Sequence, residues 1–381
     1  MIVANPHIRT LATYTPGASP EQIKAQFGLE SVEKLASNEN PRGASPLAMA
    51  AAQDALTHAH IYGDGGALLQ SVIANHHGVE PTCVSVHNGS DAIIHQIMRT
   101  FLLPGETALS SEGTFVSFGL AVAAADRASK RVPMAPRYRY DVQALVDAVD
   151  SSTKIIYIAN PNNPTGTYVN ADELSWLVEE VPSSVLVVVD EAYCEYAHHL
   201  VGADYPNVQA MERENVVQLR TFSKAYGLAA LRIGYALGHP NTISWLQRTK
   251  LPFDPNAIGC AAAIAALADS EFVRQTVLLN ESGLSALHAA LDTQGLLRSE
   301  SVANFVMADL GTAERASAMH RALLFDGFIT RPLTGFGLPT CLRITTGLPE
   351  QNVRVATALA THAKVILDSE ATALPSLIGV Q

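Results

Sequence analysis

Continuous apolar runs that stop abruptly in polar clusters are the most informative pattern along this chain. Lys154-Ile155-Ile156-Tyr157-Ile158-Ala159 and Ser184-Val185-Leu186-Val187-Val188-Val189 do not alternate between apolar and polar positions. A strand covered by helices on both faces reads this way, so the pattern predicts central strands of a parallel sheet. Residues 216–219 predict a third such strand and 84–86 a short one. Helical periods lie between them. Ile93, Ile94, Ile97, Met98, Phe101 and Leu102 recur at helical spacing, which predicts a helix over 91–102 with one buried face. Residues 46–58 predict another, with Ser45 as N-cap and Pro46 at the first helical position. The turn-rich segment before it reads as an extended arm with a short helix at about 20–27. After about Ser270 the texture shifts to helices with three short strands, at 304–307, 328–331 and 341–345.

These patterns predict an α/β fold in two parts. A large domain over 46–265 holds the mostly parallel central sheet, and a smaller α+β domain combines the N-terminal arm, 1–45, with 266–381. The chain has 381 residues and a formal net charge of -11, a balance that argues against nucleic acid or an anionic membrane as partner. Cys83, Cys194, Cys260 and Cys341 form no CxxC pair, so neither a disulfide scaffold nor a metal site is expected. The N-terminus has no basic end followed by an apolar block, and the most apolar stretch, 257–268, is about half the ~20 residues that span a bilayer. A cytoplasmic enzyme is the expectation.

Each polar cluster sits just past a predicted strand, where ligands bind in open α/β sheets. Asn160-Pro161-Asn162-Asn163-Pro164-Thr165-Gly166 follows the first run, Asp190-Glu191-Ala192-Tyr193 the second, and Thr221-Phe222-Ser223-Lys224 the third. Taken alone, Lys224 reads as a solvated surface lysine. Asp190 changes that reading: a carboxylate at the end of a Val/Leu run is poorly solvated and needs a cationic partner, such as a protonated pyridine nitrogen. A lysine nearby can then act as nucleophile or base. Asn163 and Tyr193 can aim an amide and a phenol at the same ligand, although an Asn-Pro turn is more often structural. Gly89-Ser90-Asp91 opens the strong helix, where free N–H groups and the helix dipole favour a phosphate; a simple N-cap by Ser90 is compatible with that. Arg232 can clamp such a phosphate, and Phe115 can stack on a ring or merely fill core. Arg331 and Arg343, at predicted strand ends, suit bidentate binding of a carboxylate or phosphate.

In combination and order, the Asn-Pro-Asn-Asn-Pro-Thr-Gly, Asp-Glu-Ala-Tyr and Ser-Lys-Ala-Tyr-Gly-Leu segments resemble the fold-type I pyridoxal-phosphate (PLP) aminotransferases, and within them the histidinol-phosphate aminotransferase branch. The similarity extends from Tyr14-Thr15-Pro16-Gly17 through Lys34-Leu35-Ala36-Ser37-Asn38-Glu39-Asn40-Pro41 to Leu342-Arg343-Ile344-Thr345. The resemblance implies that Lys224 carries PLP as a Schiff base and then shuttles the proton. It implies Asp190 on the pyridine nitrogen, Tyr193 and Asn163 on the ring hydroxyl, and Ser90, Asp91, Thr221, Ser223 and Arg232 around the cofactor phosphate. Tyr62 would reach the cofactor of a neighbouring subunit, giving a homodimer with shared sites. Tyr14, Asn38, Arg331 and Arg343 would bind a small-molecule amino donor and a 2-oxo acid acceptor. Two positions depart from the family: Phe115 stands where a tyrosine is usual, and His60-Ile61-Tyr62-Gly63-Asp64 replaces an Arg-Tyr-Pro-Asp segment.

Other reactions remain open at this level. An aromatic amino-acid aminotransferase would use the same arginine, and a decarboxylase of a phosphorylated amino acid would use the same lysine. A transcription regulator with an aminotransferase-like sensor would need a DNA-binding domain ahead of a pattern that here starts near residue 14.

Overall fold

The computed structural model describes residues 2–9, 11 and 19–368. Its thirteen strands, in chain order, are β1 (Glu33–Lys34), β2 (Val84–His87), β3 (Thr107–Ser111), β4 (Ala128–Val132), β5 (Thr153–Ala159), β6 (Leu186–Asp190), β7 (Val216–Thr221), β8 (Gly234–Gly238), β9 (Leu297–Arg298), β10 (Phe305–Asp309), β11 (Phe328–Ile329), β12 (Arg331–Pro332) and β13 (Cys341–Thr345). Seven form one sheet in the order β2-β8-β7-β6-β5-β3-β4. β8 pairs antiparallel with both its neighbours and every other pairing in that sheet is parallel, as the unbroken apolar runs require.

Side-chain parity divides each central strand between two cores. Ile155, Tyr157 and Ala159 of β5 face one side with Val188 of β6 and Leu219 of β7, covered by Ile93, Ile94 and Ile97 of the helix Ser90–Phe101. Ile156, Ile158, Val187 and Val189 face the other, covered by Leu174, Leu177 and Val178 of the helix Ala171–Glu180. These side chains are excluded from water almost completely, at roughly 1.5–3 kcal/mol each for a Val, Leu or Ile. The sheet is therefore rigid where its strands end, which is where the polar clusters begin.

Ser45 caps the helix Pro46–Leu56 from its side chain, with Pro46 at the first turn, as the sequence predicts. The helix Pro20–Phe27 has a capping box between Ser19 and Gln22. The strong helix starts at Ser90, one residue earlier than the sequence predicts, and the cap is Gly89 (φ 88°, ψ 160°) with no side-chain hydrogen bond. Ser90 is therefore not the N-cap. Glycine is required there because the backbone enters at positive φ and because an added Cβ would meet Arg232 Nη2 at 2.7 Å.

Beyond residue 270 the helices Ser270–Thr293, Ala313–Phe325 and Pro349–Asp368 pack on a four-stranded antiparallel sheet, β12-β13-β10-β9. Leu342 and Ile344 of β13 point into this core with Leu287, Met319 and Leu359. Arg343 and Thr345, of opposite parity, point away from it. The N-terminal segment joins the same region through β1, which pairs in parallel with β11. Among the described residues no helix is long and apolar enough to cross a membrane.

Candidate active site

The carboxyl ends of β5, β6 and β7, the start of the helix Ser90–Phe101, the 36–38 segment and one face of β12–β13 enclose a cavity of about 280 Å³. Ser90, Asp91, Phe115, Asn163, Asp190, Tyr193, Thr221, Ser223, Lys224, Arg232, Asn38, Arg331 and Arg343 all line it. Tyr62 does not; it is 79% exposed and stacks on Phe253, with ring centroids 4.3 Å apart. Tyr14 lies outside the described residues.

Lys224 follows β7 directly. Its Nζ donates to the backbone carbonyl of Ser37 at 3.0 Å and stands 5.7 Å from the centre of the Tyr193 ring. Burial, and then the charge of Arg343, bring its amine down from 10.5 to about 8. A lysine with its proton so loosely held is a competent nucleophile near neutral pH.

Asp190 ends β6 and is 3% exposed. Burial pushes its carboxyl up to about 7, against the opposing hydrogen bond from Tyr157. Tyr157 donates to Oδ2 at 2.7 Å, while Oδ1 is buried without a hydrogen-bond partner among the described residues. A buried acceptor left open is costly, and a cationic N–H ligand relieves that cost.

The start of the Ser90–Phe101 helix, whose first N–H groups have no partner within the helix, shares the cavity wall with Thr221, Ser223 and Arg232. Arg232 Nη1 donates to Ser223 Oγ at 3.3 Å and its Nη2 stands 3.8 Å from Asp91 Oδ2. The backbones approach so closely that a Cβ on Gly234 would lie 2.5 Å from Ser90 N. Open N–H groups, two hydroxyls and a guanidinium make an anion cradle. Phe115, half-buried, lines the same cavity.

Tyr193 accepts from Asn38 Nδ2 at 2.8 Å, and burial pushes its phenol up to about 12, so it stays protonated. Asn38 is itself held by Thr345 and Asn304. Arg343 is 5% exposed; its Nη1 donates to Asn163 Oδ1 and its Nη2 to the Ala36 carbonyl at 2.7 Å. Arg331 and Arg343 are direct cross-strand partners, so their side chains share one face of the sheet, towards the cavity. Among the described residues Arg331 has no hydrogen bond or ion pair.

An orphaned carboxylate oxygen, an amine with a lowered pKa and an anion cradle at a glycine-lined helix start fit the three ends of PLP: ring nitrogen, aldehyde and phosphate. Sequence reasoning missed Tyr157, hidden in an apolar run, and the backbone carbonyls of Ala36 and Ser37, which carry no side-chain signal. It also missed Lys34 on the cavity wall, whose Nζ pairs with Glu39 at 2.7 Å.

Comparison with known proteins adds an independent line. The family described as "Aminotransferase class I and II" matches residues 30–359. A histidinol-phosphate aminotransferase of Anaeromyxobacter sp. (strain Fw109-5) is 42% identical over 365 residues, covering 94% of this chain and 98% of that protein. The histidinol-phosphate aminotransferase of Bacillus subtilis (strain 168) is 39% identical over 93% of this chain and 98% of its own length. A crystal structure of histidinol-phosphate aminotransferase from Sinorhizobium meliloti in complex with pyridoxal-5'-phosphate is similar at a TM-score of 0.85 and 30% identity, covering 95% of this chain and 98% of that one.

Proposed function

The chain belongs to the class I and II aminotransferases, and on that premise we propose that it transfers the amino group of histidinol phosphate to 2-oxoglutarate, a step of histidine biosynthesis, using PLP bound covalently through Lys224. The observation that carries this reading is the Arg331–Arg343 pair, two arginines in register on neighbouring strands that both line the cavity holding Lys224 and Asp190. Adjacent cations repel unless an anion lies between them, and their planar forks suit a phosphate or carboxylate. One site can so accept a phosphorylated amine and a dicarboxylic oxo acid in turn.

When bound, PLP supplies an electron sink for the carbanion that forms at the amine-bearing carbon. The chain supplies the rest. Lys224 would hold the cofactor, and its amine, with a pKa of about 8, is well matched to take a proton from the substrate carbon and to give one back. Asp190 holds the ring nitrogen as a cation. Tyr193 and Asn163 orient the ring hydroxyl, while Ser90, Asp91, Thr221, Ser223 and Arg232 hold the phosphate. Phe115 stacks on the ring. Asn38 joins Arg331 and Arg343 around the substrate.

The same reading includes a cytoplasmic homodimer with shared sites. Leu47, Met49, Ile61, Tyr62 and Phe253 are exposed apolar side chains available to such an interface, and Tyr62 would reach the partner's cofactor phosphate. It also divides the chain into a PLP-binding domain at 46–265 and a small domain from 1–45 and 266–381.

Spectroscopic half-reactions with histidinol phosphate, phenylalanine and threonine phosphate test the substrate. Histidinol phosphate is expected to convert the cofactor fastest, with no loss of carbon dioxide from threonine phosphate. A faster reaction with phenylalanine would replace this reading by an aromatic aminotransferase.

A further inference from the structure

We propose that Tyr157 is a positioning residue, fixing Asp190 in the pose and the ionised state that the cofactor's ring nitrogen needs. This rests on the reading of the cavity as a PLP site.

The placement follows from register. β5 and β6 run parallel with Tyr157 opposite Val188 and Ala159 opposite Asp190. Tyr157 and Asp190 are therefore on the same face of neighbouring strands, one diagonal step apart, within reach of a long side chain. The phenol spans that step and donates to Asp190 Oδ2 at 2.7 Å. Tyr157 is fully buried, and its ring stacks on Phe118 at 5.0 Å with an interplanar angle of 15°. Fully buried and stacked on Phe118, it is held in one pose, and so is the carboxylate it binds.

Two consequences reach the cofactor. With Oδ2 engaged, Oδ1 is the oxygen left to accept, and it is the one without a partner among the described residues. The hydrogen bond also favours the anion. Burial and the charges of Asp91 and Glu191 act to neutralise Asp190, while the Tyr157 hydroxyl and the Ala192 backbone N–H act against them. No other side chain donates to this carboxylate among the described residues. A phenylalanine would fill the β5 position equally well, so the hydroxyl answers to Asp190 rather than to the core.

The test uses PLP labelled with 15N in the ring. In the loaded wild-type protein the nitrogen resonance is expected in the protonated range. In Tyr157→Phe it should move towards neutral pyridine, and PLP affinity, titrated into cofactor-free protein, should fall about tenfold, as loss of one hydrogen bond to a charged group implies. Phe118→Leu, which loosens the packing but keeps the hydroxyl, should melt earlier and leave the resonance in place. Should Tyr157→Phe fail to fold, 3,5-difluorotyrosine at 157, which keeps the shape of the side chain and changes its donor strength, should shift PLP affinity from the wild-type value, and an unchanged affinity would overturn the assignment. An unchanged resonance and affinity in Tyr157→Phe would overturn the assignment. A wild-type protein that takes up no PLP would overturn the reading of the cavity, and the assignment with it.

Discussion

The Nζ of Lys224 donates a 3.0 Å hydrogen bond to the backbone carbonyl of Ser37, 187 positions earlier in the chain. The amine at the end of β7 is thus parked on the N-terminal segment, whose β1 pairs with β11 and whose Leu35 carbonyl accepts from Thr345 N of β13 at 2.9 Å. A carbonyl holds the amine without adding charge, so burial and Arg343 keep its pKa low.

Borohydride reduction of the loaded protein should fix PLP on Lys224, and a label on any other lysine would refute the assignment. Lys224→Ala should lose turnover by at least about 10²–10⁴, the usual contribution of a general acid–base group. Without cofactor, the folded amine titrates near 8 and the unfolded one near 10.5. The unfolded chain therefore binds more protons between those values, so this group makes stability rise with pH across that window. Denaturation of wild type and Lys224→Met at pH 7.5 and 10 should differ by that slope.

Asp190 has the opposite sign. Its folded carboxyl is raised from 3.8 to about 7, so the folded state binds the extra proton and the cofactor-free protein loses stability as pH rises through that window. Asp190→Asn should abolish that loss, gaining on the order of 1–4 kcal/mol over wild type above pH 7 and nothing near pH 4. The same substitution should cut transamination by roughly 10² or more, since the ring nitrogen loses its anion. Melting curves across pH with matched kinetics would show both effects together.

The two arginines should separate kinetically. Arg343→Lys keeps the charge but loses the fork, so kcat/KM should fall about 10²-fold for glutamate and histidinol phosphate alike. Arg331→Met should raise KM for histidinol phosphate about tenfold and affect glutamate less. Equal losses for both substrates in Arg331→Met would mean that the roles have been divided wrongly.

Site sharing can be read from mixed dimers. On the shared-site reading proposed above, Lys224→Ala and Tyr62→Ala damage different halves of one site, so refolding the two together should restore about a quarter of wild-type activity at limiting PLP. Sites contained within one chain would give no recovery beyond the residual activity of Tyr62→Ala.

Gly234→Ala places a methyl group against Ser90 N, where a Cβ would stand 2.5 Å away. We expect a destabilisation of about 1–3 kcal/mol, as for overpacking, and a loss of PLP affinity beyond that of an Ala substitution at a solvent-facing glycine. Thermal melts and PLP titration measure the two.

What could be read without the structure follows the strength of each physical signal. β5 and β6 were legible because strands buried on both faces are almost wholly apolar, and β7 through its Val216-Val217 and Leu219 despite the buried Gln218 between them. β3, β4 and β8 were not: Thr-Ala-Leu-Ser-Ser, Ala-Ser-Lys-Arg-Val and Gly-Tyr-Ala-Leu-Gly are short and mixed. In β3 the buried Ser110 and Ser111 hydroxyls satisfy themselves on the carbonyls of Tyr157 and Val132, a solution invisible in one dimension. The site was legible at the strand ends, where polar residues interrupt apolar runs. Tyr157 was not, since within its run a tyrosine reads as core until its hydroxyl is seen to meet Asp190.

Arg343 is engaged within its own chain, by Asn163 on one arm and the Ala36 carbonyl on the other. An acid arriving there exchanges contacts rather than adding them, so its grip is a difference between two good arrangements. Weak holding of this kind suits a catalyst that must admit and dismiss two unlike acids in every cycle: the vacated guanidinium falls back on its own protein, and departure of product need not wait for water to fill the gap.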